Sequence, residues 1–157
     1  MLVVKKKTSP DLHLGWKEWV DLPELGILLV KAKLDTGART SALHAIDVQP
    51  FERDGQQYVT FTAQPNQRDS ETTVSCTAPV KDQRTVKDSG GHRELRWVIE
   101  TPVTVGDQTW PIELTLTDRS TMRFRLLLGR TAIRGRAVVD PSNLFLAGKR
   151  RKKQVTS

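Results

Sequence analysis

A period of two constrains this chain more than any other feature. Most of its interior alternates apolar and polar residues one by one, the spacing at which a β-strand turns successive side chains to opposite faces. Val30, Ala32 and Leu34 alternate with Lys31 and Lys33. Val59, Phe61 and Ala63 alternate with Tyr58, Thr60 and Thr62, after a turn-like Arg53-Asp54-Gly55, and Val74, Cys76, Ala78 and Val80 repeat the pattern. The clearest hairpin runs from Trp97 to Leu116 around Gly106-Asp107-Gln108. Trp16–Val20 and Ile27–Leu34, joined through Leu22-Pro23-Glu24-Leu25-Gly26, form an N-terminal hairpin that ends at Asp35. Met122, Phe124 and Leu126 give one more strand, followed by Leu127-Leu128-Gly129 and a short helical turn over Thr131–Arg134 that Gly135 stops. Two segments carry no strand pattern and read as loops, Gln64–Glu71 and Lys81–Glu94. The expected fold is all-β with one short helix near the C-terminus.

Charge bears on function only once it is located. The 157 residues carry a formal charge of +7, which on its own suggests a nucleic-acid binder. Lys5, Lys6 and Lys7 lie in the first ten residues and Lys149, Arg150, Arg151, Lys152 and Lys153 in the last ten, with no acid in either stretch. Residues 11–147 then hold 17 basic against 18 acidic side chains, so the folded part is nearly neutral. The sequence divides into a basic N-terminal tail (1–14), a domain (15–147) and a basic C-terminal tail (148–157). The tails read either as solvated ends or as arms for RNA, the ribosome or an acidic polypeptide. One cysteine, Cys76, rules out an internal disulfide framework, and on the apolar side of its strand it reads as a small buried hydrophobe. No stretch has the length or apolarity of a membrane span or of a signal-peptide core. The expected compartment is the reducing cytoplasm.

Chemistry is concentrated at Asp35-Thr36-Gly37-Ala38. A carboxylate at a strand end, with glycine two residues on to let the backbone fold back, presents an acid to a cleft. The motif alone is also an ordinary Asx-type turn. Leu127-Leu128-Gly129-Arg130, an apolar strand running into a helix, is what lifts it above that reading. With these two elements the chain resembles the retropepsin-like aspartic peptidases. Lys31–Ala45, Gly91–Arg96 and Trp110–Leu116 are similar, more closely, to a bacterial family named for ATP-dependent zinc proteases and associated with ATP-grasp ligases that add glutamates to a ribosomal protein.

The resemblance implies a closed acid-protease barrel, a homodimer, and a water activated by two copies of Asp35 that share a proton. It implies that Thr36 braces the paired loops, that Gly37 supplies the turn and an amide, and that Leu127, Leu128 and Gly129 support the catalytic loop. Ala38, Arg39, Gly90, Gly91 and His92 are the candidate substrate contacts, with Lys81–Glu94 the favoured flap. Arg39 reads equally as a surface salt-bridge partner or as a contact to an acidic substrate. A peptide or glutamate-rich protein is the expected substrate, with an ATP-grasp ligase or ribosomal component as a further partner.

A zinc site is not expected. His44, Cys76 and His92 would have to converge, and neither His-Glu-x-x-His nor paired cysteines occurs. No G-x-x-x-x-G-K-[ST] loop is present for ATP either, so no cofactor is expected. Two other classes stay open: a catalytically silent binding module for a ligase or ribosomal component, and a nucleic-acid binder acting through the tails.

Overall fold

A computed structural model describes residues 11–66, 71–87, 90–118 and 123–148. In chain order they form β1 (Leu12–Gly15), β2 (Lys17–Leu22), β3 (Ile27–Asp35), β4 (Ala42–Arg53), β5 (Gln56–Ala63), β6 (Val74–Lys87), β7 (Arg93–Val105), β8 (Gln108–Thr117), β9 (Leu126–Gly129), the one-turn helix α1 (Arg130–Ile133) and β10 (Ala137–Asp140). Eight strands pair in the order β2-β3-β9-β4-β5-β6-β7-β8. Further pairings of β8 with β4 and of β2 with β7 bring this ladder back on itself as a near-ring. β1 and β10 make a separate parallel pair.

Alternation explains the ring. Val30, Ala32 and Leu34 of β3 and Val59, Phe61 and Ala63 of β5 are buried, while their neighbours in sequence face outward or lie half-buried. With Leu43, Ile99, Leu114, Leu126 and Leu128 they fill one interior core. Each fully buried aliphatic side chain contributes about 1.5–3 kcal/mol relative to exposure. Trp110 seals the base, its Nε1–H donating to the Ala132 carbonyl of α1 at 2.9 Å. The expected all-β, retropepsin-like architecture with one short C-terminal helix is what the chain adopts.

Four expectations need correction. Lys81–Glu94 is not a loop: β6 runs through Lys87 and β7 starts at Arg93, paired from Val80↔Ile99 to Lys87↔Arg93. The β6 side of this half is exposed or half-buried throughout, so its sequence has no apolar period. Phe124 lies in a bend rather than a strand, with β9 starting only at Leu126, and Met122 lies outside the described residues. Leu12 and Leu14, assigned from sequence to the basic tail, are buried residues of β1. β4 and β10 were not anticipated at all. Of the other unpatterned segment, Gln64–Glu71, Gln64–Asn66 are irregular and residues 67–70 lie outside the described ones.

Candidate active site

β3 carries the candidate acid out of the core. Leu34 is buried, and one residue later Asp35 emerges half-buried at the strand end. The chain then reverses. The Gly37 N–H donates to Asp35 Oδ1 at 3.0 Å, and the Ala38 N–H donates to the Asp35 carbonyl at 3.1 Å. A methyl group on Gly37 would sit 3.2 Å from Asp35 Oδ1, so glycine here lets an amide approach the carboxylate.

The turn is held from beneath by β9 and α1. β9 lies parallel to β3 with Leu34 opposite Leu128 and Asp35 opposite Gly129. The Gly129 N–H donates to Ser41 Oγ at 3.0 Å, and the Arg130 N–H to the Ala38 carbonyl at 2.8 Å. Thr131 donates to the Arg39 carbonyl from both its N–H (3.3 Å) and its hydroxyl (2.8 Å), and Arg130 Nη1 reaches the Gly37 carbonyl at 3.3 Å. Ser41 is anchored in turn, its carbonyl accepting from the Thr115 N–H at 3.0 Å and hydroxyl at 2.9 Å. Three successive carbonyls after the Asp35-Thr36 step are therefore occupied, which fixes the turn.

Above the turn lies an open cleft of about 1160 Å³. Its charged lining comprises Asp35, Arg39, Arg84, Lys87, Arg96 and Glu113, four cations against two carboxylates. Arg84 grips Glu113 through two nitrogens (2.9 and 3.3 Å) and Asp82 through Nε (2.8 Å). The Arg84 contact first, and Lys81 second, hold the Glu113 carboxyl below its ordinary range. Arg96 is buried, with Nε on Glu94 at 2.9 Å and Nη1 on Thr115 Oγ1 at 3.3 Å. Its guanidinium is pre-positioned on the cleft wall rather than free to swing.

The structure thus gathers Asp35, Gly37, Ala38, Arg39 and Leu127 around one cleft, with Thr36 exposed beside them and Leu128 and Gly129 below. Gly90, Gly91 and His92 are exposed at the end of the β6–β7 hairpin and do not line it. Sequence reasoning missed Arg84, Lys87 and Glu113, because β6 from Lys81 onward reads as loop and β8 only by its apolar face. The zinc candidates do not converge. His44 is fully buried with Nε2 3.0 Å from Gln64 Oε1, Cys76 faces the core with Sγ 3.4 Å from the Leu25 carbonyl, and His92 is exposed. Burial pushes the Cys76 thiol up to about 11. Among the described residues, no three His, Cys, Asp or Glu side chains form a metal-holding group, and no helix is long and apolar enough to cross a membrane.

A near-ring of strands presenting one Asp-Thr-Gly turn, supported by an apolar-apolar-Gly strand and a short helix, defines a retropepsin-like protein. The chain belongs to the RimB-like family of retropepsin-like aspartic endopeptidases, whose model matches residues 13–150. It is also 46% identical over 129 residues to a probable alpha-L-glutamate ligase of Desulfotalea psychrophila, covering 82% of this chain and 28% of that protein. A probable alpha-L-glutamate ligase of Parasynechococcus marenigrum is 43% identical over 141 residues, covering 90% and 30%. The chain therefore spans less than a third of the length of these relatives. A crystal structure of a Legionella pneumophila protein of unknown function (DUF785) superimposes with a TM-score of 0.74 at 30% identity, covering 87% of this chain and 98% of that one.

Proposed function

We propose that this chain is an aspartic-type peptidase that works as a homodimer and hydrolyses peptide or glutamyl amide bonds in an acidic substrate, in the cytoplasm. The observation that carries the reading is the placement of Asp35, at the mouth of a cation-lined cleft on a turn whose Asp35, Gly37, Ala38 and Arg39 carbonyls are bound. One carboxylate is half of an aspartic site, and a two-fold axis through the exposed Thr36-Gly37 turn supplies the other. Ionised Asp35 of one protomer takes a proton from the bridging water as its oxygen attacks the amide carbon. Protonated Asp35 of the partner donates to the carbonyl oxygen. Collapse of the tetrahedral diol breaks the C–N bond and returns a proton to the departing nitrogen. Arg39, Arg84, Lys87 and Arg96 favour carboxylates flanking the scissile bond. Glutamate chains suit that lining, and the ligase names of the relatives support them and point to a ligase as partner.

Asp35→Asn tests the proposal with a glutamate-rich peptide as substrate, and sedimentation reports the oligomer. Hydrolysis should fall by about 10³-fold, within the usual span of general acid–base effects, with the dimer retained. Turnover unchanged in Asp35→Asn, or a parent protein that is monomeric while active, refutes the paired-carboxylate mechanism. Peptide binding without turnover in both proteins supports a silent binding module instead.

A further inference from the structure

Like charges stand opposite one another twice beside the Asp35 cleft. Arg84 of β6 pairs with Arg96 of β7, and Glu100 of β7 with Glu113 of β8. Such pairs destabilise a sheet unless something offsets them, and here each is neutralised from outside itself. Arg84 holds Glu113 through Nη1 at 2.9 Å and Nη2 at 3.3 Å, and Asp82 through Nε at 2.8 Å. Arg96 Nε holds Glu94 at 2.9 Å. Lys81 Nζ bridges the two acids, 2.7 Å from Glu100 and 2.9 Å from Glu113. Both arginines line the Asp35 cleft, and of the three acids that hold them only Glu113 lines it too.

The two arginines differ in how firmly they are held. Arg96 is buried, its Nη1 donates to Thr115 Oγ1 at 3.3 Å, and Glu94 also accepts from the Thr117 hydroxyl at 3.0 Å. The Arg84–Glu113 pair is open to water, with 39% and 34% of the two side chains exposed, and ion pairs in that setting are weak. Parting it strands neither group. Glu113 keeps Lys81, which stands outside the cleft lining. Arg84 keeps Asp82 on Nε while Nη1 and Nη2 are released together. Two such nitrogens on one planar guanidinium take a carboxylate as a pair.

We propose that Glu113 is an internal stand-in for a substrate carboxylate: an acidic residue of the bound peptide displaces it from Arg84, and Glu113 falls back on Lys81. The substrate class, an acidic peptide, rests on the peptidase reading above, and Glu113 adds a threshold to it. Arg39 and Lys87, exposed on the same cleft, meet a first carboxylate. Arg84 yields only to a further one that outcompetes Glu113, and a neutral side chain offers the guanidinium no equivalent. The cleft thereby favours runs of acidic residues over isolated ones, by competition as well as by attraction.

The test is fluorescence anisotropy of labelled hexaglutamate and hexaglutamine peptides with the full chain carrying Asp35→Asn, which reads binding without turnover. Adding Glu113→Gln should tighten hexaglutamate binding about fivefold, the upper end for a partly exposed ion pair, and leave hexaglutamine unchanged. Glu100→Gln removes the same charge outside the cleft lining and should change the affinity by less than about twofold. With Arg84→Gln also present, Glu113→Gln should give no gain. Lys81→Gln removes the fallback and should weaken hexaglutamate binding only while Arg84 is in place, an arm that does not need the Glu113 variant to fold. A folded Glu113→Gln protein without the gain, a gain matched by Glu100→Gln or surviving Arg84→Gln, or Lys81→Gln binding as before overturns the proposal. Hydrolysis by the chain with Asp35 intact is followed alongside. Its absence with the gain present would remove the peptidase reading and leave the exchange at Arg84, and hydrolysis without the gain would do the reverse.

Discussion

Gly129→Ala probes how tightly β9 holds the Asp35 turn. The Gly129 backbone is extended (φ −84°, ψ 173°), a conformation alanine adopts freely, so the effect is steric alone. A methyl group there would meet the Thr40 carbonyl oxygen at 2.5 Å, its carbon at 2.7 Å and the Ala38 oxygen at 2.9 Å. These are backbone atoms of a segment tied at both ends, and no side-chain rotation relieves the contact. The loop must lift away, stretching the Gly129–Ser41 bond (3.0 Å) and the Arg130–Ala38 bond (2.8 Å). Overpacking costs about 1–3 kcal/mol, and two weakened hydrogen bonds add about 0.5–1.5 kcal/mol each, giving about 4 kcal/mol in the middle of the range. At about 2–4 °C per kcal/mol for a domain of this size, the melting temperature should drop by about 8–16 °C. Thermal melts followed by near-UV circular dichroism, paired with urea titrations, measure it. Gly37→Ala is the matched control: its methyl group meets only Asp35 Oδ1, at 3.2 Å, so stability should barely change while hydrolysis falls. A Gly129→Ala protein that melts within about 2 °C of its parent would refute the view that β9 fixes the turn by direct backbone contact.

Glu18→Gln replaces a carboxylate that accepts three amides with a group whose NH₂ faces one of them. It should cost about 2 kcal/mol or more, seen in urea titration, and should increase proteolysis of the segment after Ala147. A cost under about 0.5 kcal/mol would mean these three bonds are incidental. Cys76 should resist iodoacetamide at neutral pH in the native protein, because burial raises its thiol to about 11, and react fully once the chain is unfolded; native labelling at the unfolded rate contradicts the packing. Glu113 is lowered on folding by Arg84 and Lys81, so its contribution is present above the ordinary glutamate value, about 4.3, and is lost as pH falls through the lowered one. Glu113→Gln should therefore be less stable than the parent at neutral pH, with the difference closing in acid; a gap that persists at low pH contradicts the charge-based account.

Which parts of this fold could be read from sequence follows from how many faces of each strand are wet. β3, β5 and the β7–β8 hairpin each bury one face along much of their length, and their residues alternate accordingly. β4 does not: Ala42, Leu43, His44 and Ala45 are all buried, because the strand sits between β8 and β9 with both faces covered where it passes the site. The far half of β6 fails in the opposite sense, with Lys81–Lys87 wet or half-wet on both faces, so polar residues sit at every position but Val86 and the arm reads as a loop. β1 and β10 are four residues each and pair Leu12 with Ala137, a contact that no local pattern encodes. The same logic divides the site. Asp35, Gly37 and Gly129 were legible because a tight turn and a backbone crossing admit few residue types, so chemistry and sequence coincide there. Arg84, Lys87 and Glu113 were not, since an arginine on an exposed strand looks the same whether it faces bulk water or a cleft, and only the pairing of β6 with β7 turns it towards Asp35. The acid is fixed by local backbone demands and the cations around it by long-range strand pairing. Changes in the cations should therefore retune which substrates enter this cleft without disturbing the turn that presents the carboxylate.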